Sequence, residues 1–296
     1  MKKGEEKLDT DLYRYYQTEI PDEVSQPPPA EPTLVNAPVD TFRRWEDVAG
    51  NTAARALLKG FVRQPGRPEH VLIYGANRSG KTWMIHLALK AKFCRNRGTD
   101  LNPCHACANC QLWDQGGLDR NEYFQPNAEG QAYRYHAVDG TNPWSFDEGL
   151  ILRYSDRRVP LIVYIDEVAA PEFQPFVPKL WKPMTETNIA VIASGVRLRP
   201  RRDKATGLRR PGLSEDFRFR FALVETTTAP CEEDFLCWLG RQCQDRSLDP
   251  DDATLRLIVE KAELVPGQAL RPLRKAKALG VPLTREFVEQ FRWDAL

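Results

Sequence analysis

Two short stretches carry residues that could do chemistry. In "GANRSGKT", residues 75–82, two glycines with four residues between them lead into a lysine and a threonine in the pattern G-x-x-x-x-G-K-T. Glycines let backbone amides approach phosphate oxygens, and a helix opening behind them adds the positive end of its dipole. In the cluster Cys94-x9-Cys104-x2-Cys107-x2-Cys110, four of the seven cysteines fall within seventeen positions. Thiolates at x2 spacing can converge on one tetrahedral zinc ion. Pro103, Ala106 and Ala108 suit a tight knuckle, and His105 is read as a surface residue because four thiolates already fill the shell. With no open position for a substrate, such a zinc is structural.

The phosphate-loop pattern matters because of its setting. "EHVLIYG" (69–75) reads as a buried strand and "KTWMIHLALKAKF" (81–93) as a helix. Gly75, Ala76, Asn77, Arg78, Ser79, Gly80, Lys81, Thr82 and Trp83 are therefore the candidate nucleotide cradle. Lys81 would reach the β- and γ-phosphates and Thr82 would coordinate Mg²⁺. "LIVYIDEV" (161–168) supplies the second half: an apolar strand that ends in carboxylates. Asp166 would hold Mg²⁺ and Glu167 would polarise the attacking water. Asp139, at the end of "HAVDG", is read as capping the helix or turn that follows.

The elements that must position these residues follow from patterning. "GQAYRYHAVDG" (130–140), "VPLIVYIDE" (159–167) and "NIAVIASG" (188–195) read as strands, and "FDEGLILRYS" (146–155) as a helix between two of them. Strands alternating with helices imply a parallel sheet covered on both faces. After about residue 228 only helical spacing remains: 231–245, 249–263, 267–280 and 284–293. Ser247 or Asp249 is expected to start the second of these helices and Thr284 the last. Cys231, Cys237 and Cys243 are expected to be buried or half-buried thiols, with Phe235, Trp238 and Leu239 in the core of this helical part. Residues 1–41, with "QPPPAEPT" at 26–33, read as a flexible arm and proline-rich linker. The expected domains are thus 1–41, an α/β nucleotide-binding domain over 42–227 with a zinc module at 94–110, and a helical lid over 228–296.

Composition bounds the rest. The 296 residues carry 42 Lys plus Arg against 41 Asp plus Glu, so global charge selects no partner. Local charge does: "VRLRPRRDKATGLRRPG" (196–212) is strongly basic, and residues 197–210 could meet DNA phosphates without reading sequence. No apolar run is long enough for a membrane span, and the N-terminus lacks the apolar core of a secretory signal. Unpaired thiols kept for a metal suggest a reducing compartment, hence the cytoplasm.

With these motifs in place, "FRRWEDVAGNTAARALLKGFVRQPGRPEHVLIYGANRSGKTW" (42–83) resembles the start of an AAA+ module of the clamp-loader group. Trp45, Asp47, Val48, Gly50, His70 and 75–82 carry the likeness. Bacterial DNA polymerase III γ/τ subunits, and δ′ beside them, are the nearest members in pattern; γ/τ has a four-cysteine zinc module directly after the phosphate-loop helix. The resemblance implies a P-loop AAA+ α/β fold with a parallel sheet, an inserted zinc knuckle and a small all-α lid. It implies ATP, Mg²⁺ and Zn²⁺, adenine beside Val48 and Ala49, a first sensor at Ser194, and a second-sensor arginine at Arg271 in "PGQALRPLRKA". It also implies an ATP-hydrolysing protein that assembles into a homo- or hetero-oligomer on DNA, acting with a protein such as a sliding clamp or a recombination or replication factor.

The sequence departs from that pattern in places. Ser194 is shorter than the usual threonine or asparagine. Glu215 and Asp216 stand where the family's Ser-Arg-Cys motif has its arginine and cysteine, so Arg218, with Arg220 next, is the nearest candidate for a finger that reaches a neighbour's ATP. The family's collar domain would follow the lid, where this sequence ends. That leaves room for an AAA+ regulator of a mobile element or a defence system, or for an assembly adaptor that binds ATP without hydrolysing it. A nucleotide kinase shares the phosphate loop but not the acidic pair, the sensor-like residues or the helical lid.

Overall fold

Burial alternates between two cores along every central strand. In the computed structural model, residues 43–115, 122–143, 146, 148, 149, 151, 158–196, 201, 202, 209, 210, 212–226 and 231–293 are described. The arm and linker expected at 1–41, and most of the basic stretch 197–210, lie outside them. Strand β1 is Val71–Tyr74, β2 Glu122–Phe124, β3 Tyr133–Asp139, β4 Leu161–Asp166 and β5 Ile189–Gly195. Two-residue strands β6 (Arg201–Arg202) and β7 (Arg209–Arg210) pair with each other, and β8 is Ala222–Glu225.

The main sheet runs β2-β3-β4-β5-β1-β8, with β2 antiparallel to β3 and every other pair parallel. On β4, Ile162 and Tyr164 face one core while Leu161, Val163 and Ile165 face the other. On β5, Ala190 and Ile192 answer Ile189, Val191 and Ala193 in the same way. A parallel sheet buried on both sides needs apolar residues at both parities, which is why these strands read as unbroken apolar runs.

Helices fill the two faces. Helix α1 (Thr52–Arg63) buries Ala54, Leu58, Phe61 and Val62, an i, i+4, i+7, i+8 stripe. Helix α2 (Lys81–Phe93) is buried on nearly every side. A short α3 (Ala108–Asp114) follows within the cysteine cluster. Helix α4 (Val177–Glu186), preceded by a 3-10 segment at Pro171–Phe176, covers the second core. The described residues of the expected 146–155 helix include helical ones at 148, 149 and 151.

The one-turn helix α5 (Glu215–Arg218) precedes β8. Then come α6 (Glu232–Gln244), α7 (Asp252–Ala262), α8 (Pro266–Leu279) and α9 (Arg285–Glu289), which enclose a third core around Phe235, Trp238, Leu239, Ile258 and Leu273. Two expectations are corrected here. Helix α7 is capped by Asp251, whose carboxylate accepts from Thr254 N at 2.7 Å, and not by Ser247 or Asp249; the turn ends at Ser247 and the helix begins only at Asp252. Cys231 and Cys237 are exposed, and only Cys243 joins the core, because a step of six residues rotates each thiol off the buried stripe. Thr284 does cap α9, its hydroxyl accepting from Phe287 N.

Candidate nucleotide and metal sites

The phosphate loop leaves the carboxyl end of β1, where parallel α/β sheets bind ligands. Gly75 has φ +147°, and a Cβ there would lie 2.0 Å from Thr226 Oγ1, so the loop can pass over the end of β8 only as glycine. Ser79 and Thr226 share a buried hydroxyl–hydroxyl bond of 2.8 Å. Gly80, at φ +90°, turns the chain into α2. Ala76 and Asn77 are exposed, while Lys81 is buried and donates to the carbonyls of Gly75 at 3.0 Å and Ala76 at 2.8 Å. Burial pushes the Lys81 ammonium below its ordinary pKa, and the nearby carboxylates of Glu167 and Asp166 oppose that.

The acidic end of β4 meets this loop. Thr82 Oγ1 donates to Asp166 Oδ1 at 3.5 Å, and the Ser194 hydroxyl donates to the same oxygen. Ser194 Oγ also accepts from Glu167 N at 3.1 Å, and Val168 N donates to Ser194 O at 2.8 Å. Sequence positions 82, 166, 167 and 194 are thus joined through one carboxylate and one hydroxyl. Glu167 sits in the left-handed region at φ +50°, and its Oε2 accepts from Val196 N at 3.2 Å. Desolvation raises its pKa, Lys81 lowers it and Asp166 raises it again. A raised carboxylate beside a buried ammonium suits a proton acceptor.

Four residues that sequence reasoning passed over complete the geometry. Gly140 N donates to Asp166 O at 2.8 Å, and a Cβ at Gly140 would lie 2.4 Å from Glu167 O. Asn51 donates from its amide to Ala49 O and Ser79 O, both at 3.2 Å, tying the 48–51 segment to the phosphate loop. Thr226 forms the loop's floor. Gly267, at the start of α8, donates from N to Arg78 O at 3.2 Å. Only the glycines gave a signal, since each sits at a predicted element end; Asn51 and Thr226 are common polar residues whose roles exist only in three dimensions.

Val48 and Ala49 are buried, Val48 in the first sheet core and Ala49 in the core of the C-terminal helices. Trp83 is half-buried, its ring edge-on to His86 at 5.3 Å. A cavity of about 400 Å³ lies between the loop and the helical part, lined by Asn77, Arg78, Lys261, Gln268 and Trp293 among others. A larger one, about 670 Å³, is lined wholly by helical-domain residues such as Glu232, Arg256 and Arg285, with no phosphate-loop residue beside it. Asp139 accepts from Thr141 N at 2.9 Å and Thr141 Oγ1 at 2.7 Å, the turn-capping role read from the sequence.

Three arginines stand apart from this cluster. Arg271 donates to Trp293 O at 2.6 Å and Gln268 Oε1 at 2.9 Å, and lies over the Phe291 ring. Arg218 pairs with Glu215 at 3.3 Å, and Arg220 donates to the Thr185 hydroxyl and lies over Trp181.

The cysteines meet in space. The Sγ atoms of Cys94, Cys104, Cys107 and Cys110 all lie within 4.8 Å of one another. The 94–107 pair is 3.9 Å apart and the 104–110 pair 4.0 Å. Zinc–sulfur bonds of about 2.3 Å require tetrahedron edges of about 3.8 Å. Backbone N–H groups of Arg95, Cys104 and Cys107 donate to three of the sulfurs at 3.3–3.4 Å, as thiolates require. A hydrogen bond from Cys110 holds Cys94 down at about 5, while Cys110 is itself pushed up. Four thiols crowded this way cannot all ionise without a cation, and the donor set fits zinc. His105 lies outside the set, donating to Arg43 O at 2.8 Å.

No family model matches the chain, and no curated protein matches it. Solved structures do. Two single-residue variants of RuvB from Thermotoga maritima are similar to it at 13% and 14% identity, with TM-scores of 0.53 and 0.51. Each alignment covers 84% of this chain, and 71% and 70% of the RuvB chains respectively. At such identity the likeness is one of architecture: the chain has the α/β fold seen in RuvB, with a four-cysteine knuckle built into it.

Proposed function

We propose that this chain is an ATP-binding and ATP-hydrolysing AAA+ protein that assembles into an oligomer on DNA as a clamp-loader-like switch or motor. The observation that carries the reading is the convergence of Lys81, Thr82, Asp166, Glu167 and Ser194 at the carboxyl ends of β1, β4 and β5. Nucleotide and Mg²⁺ fit this donor set. Lys81 would answer the phosphates' charge, Thr82 and Asp166 would hold the cation, and Glu167 would accept the proton of the attacking water. Val48 and Ala49 would flank the adenine. Arg271 would exchange the carbonyls it now holds for the γ-phosphate. The four-cysteine knuckle after α2 supports the clamp-loader comparison, and the basic composition of residues 197–210 suits phosphate contacts along a DNA backbone.

One observation favours a second reading. The candidate finger Arg218 is paired with Glu215 in its own chain. A protein that binds ATP for assembly and leaves hydrolysis to a partner's arginine would have such an arrangement. Steady-state ATP hydrolysis, with and without primed duplex DNA, separates the two. The expected result is DNA-stimulated turnover that is lost in Lys81→Ala. ATP binding without turnover would establish the adaptor, and turnover indifferent to Lys81→Ala would remove the site from the reaction.

A further inference from the structure

The zinc knuckle does more than fold itself: its loop grips the chain just ahead of Val48 and Ala49. Asn102 Oδ1, two residues before Cys104, accepts from Trp45 N at 2.8 Å. Leu101 O accepts from the Trp45 indole at 2.9 Å, and Asn102 Nδ2 donates to Glu46 Oε2 at 3.3 Å. His105 adds its bond to Arg43 O. The same short segment is held from the other side by the helical domain, where the Trp238 indole donates to Asp47 O at 2.6 Å. Asn51 then joins it to the phosphate loop through Ser79 O.

We propose that Asn102 is a positioning residue for the nucleotide base, and that the knuckle's metal sets its position. The inference rests on the reading that Val48 and Ala49 flank the base. The loop 95–103 is closed by Cys94 and Cys104, so a metal shared by those thiolates fixes both of its ends. Leu101, a buried non-glycine residue at φ +66°, occupies a left-handed backbone conformation at the point of contact. Such a conformation persists only where its surroundings over-determine it, and here the thiolate closure and Trp45 do so. Asn102 is itself aimed by Asp100, which accepts from its amide at 2.7 Å and from its backbone N at 3.0 Å. Loss of either the side chain or the metal would let residues 43–47 drift while the phosphate loop, anchored by Ser79, Thr226 and Lys81, stays in place.

The test separates base from phosphates. Calorimetric affinities for a non-hydrolysable ATP analogue and for tripolyphosphate are measured on the zinc-loaded full chain, on the zinc-stripped chain with its metal content verified, and on Asn102→Ala. The expected result is a loss of about tenfold for the adenine nucleotide in both altered forms, the scale of one buried hydrogen bond, with tripolyphosphate unchanged within about twofold. Stripping zinc from Asn102→Ala should add little further loss, because both act on one contact. Equal losses for both ligands would mean general unfolding and overturn the inference. Unaltered nucleotide affinity in Asn102→Ala would overturn it while leaving the base reading intact. Tripolyphosphate binding to the unaltered protein as tightly as the nucleotide would overturn both.

Discussion

His70 shows how much one side chain can carry. The sequence offered it only as part of a strand lead-in. In the structure its Nδ1 accepts from Val191 N at 2.9 Å and its Nε2 donates to Met184 O at 2.9 Å, while its carbonyl accepts from Ala222 N. It therefore links β1, β5, β8 and α4 in one tautomer. Burial pushes its pKa below the ordinary value, with Arg67 and Arg220 adding to the fall and the bond to Met184 and the charge of Glu69 opposing it. The folded state prefers the neutral ring. Its contribution is full above the unfolded value of about 6.5 and is lost as pH falls from there through the folded value. Urea unfolding at pH 7.5 and pH 5.5 should show a decline that is smaller in His70→Leu, by about 1 kcal/mol for the Val191 bond. Identical pH slopes in the two proteins would contradict this role.

At the scale of elements, the strands β1, β3, β4 and β5 were legible and the short strands β2 and β8 at the sheet's edges were not. The strands β1, β4 and β5 are buried on both faces, so their sequences had to be apolar at both parities, a pattern that half-exposed strands and surface loops do not produce. Helix α2 follows directly from the loop motif it opens. Strand β8 is four residues long and follows "FRFRF", whose alternating charge hides it; β2 is three residues long; and α3 is masked by the cysteines that dominate its stretch. Helix α4 contains Pro178 and Pro183, residues that argue against a helix unless its turn-by-turn packing is known. At the junction of β3 and β4 the sequence showed only a glycine at a strand end, not the Glu167 carbonyl that lies 2.4 Å from where its side chain would begin. Gly140→Ala should push the Glu167 carbonyl away, cost about 1–3 kcal/mol of stability, and lower turnover by more than that loss of folded protein accounts for. Thermal unfolding measured beside hydrolysis on the folded fraction checks this, and unchanged turnover per folded molecule would argue against it.

Over the whole molecule, the C-terminal helices reach the sheet-bearing part at two places that flank the proposed nucleotide site. The Trp238 indole donates to Asp47 O ahead of Val48, and Gly267 N donates to Arg78 O of the phosphate loop. A Cβ at Gly267 would sit 2.8 Å from Arg78 Cβ, so the second approach is as close as the backbone allows. A nucleotide bound as proposed between these contacts would bridge the two parts and so couple its state to the position of the C-terminal helices. No described helix is long and apolar enough to cross a membrane. The C-terminal helices were legible from spacing, but their grip on the 45–47 segment was not, because it depends on carbonyls whose direction no side chain reveals.

Nucleotide binding and turnover in Glu167→Gln, beside the unaltered chain, put the proposed chemistry to its sharpest test. Glutamine keeps the size of the side chain but cannot take a proton. Mg²⁺–ATP affinity should stay unchanged within about twofold, and hydrolysis should fall by about a hundredfold or more. Hydrolysis that survives the substitution, or ATP binding that is lost with it, would show that Glu167 is not the residue that activates water.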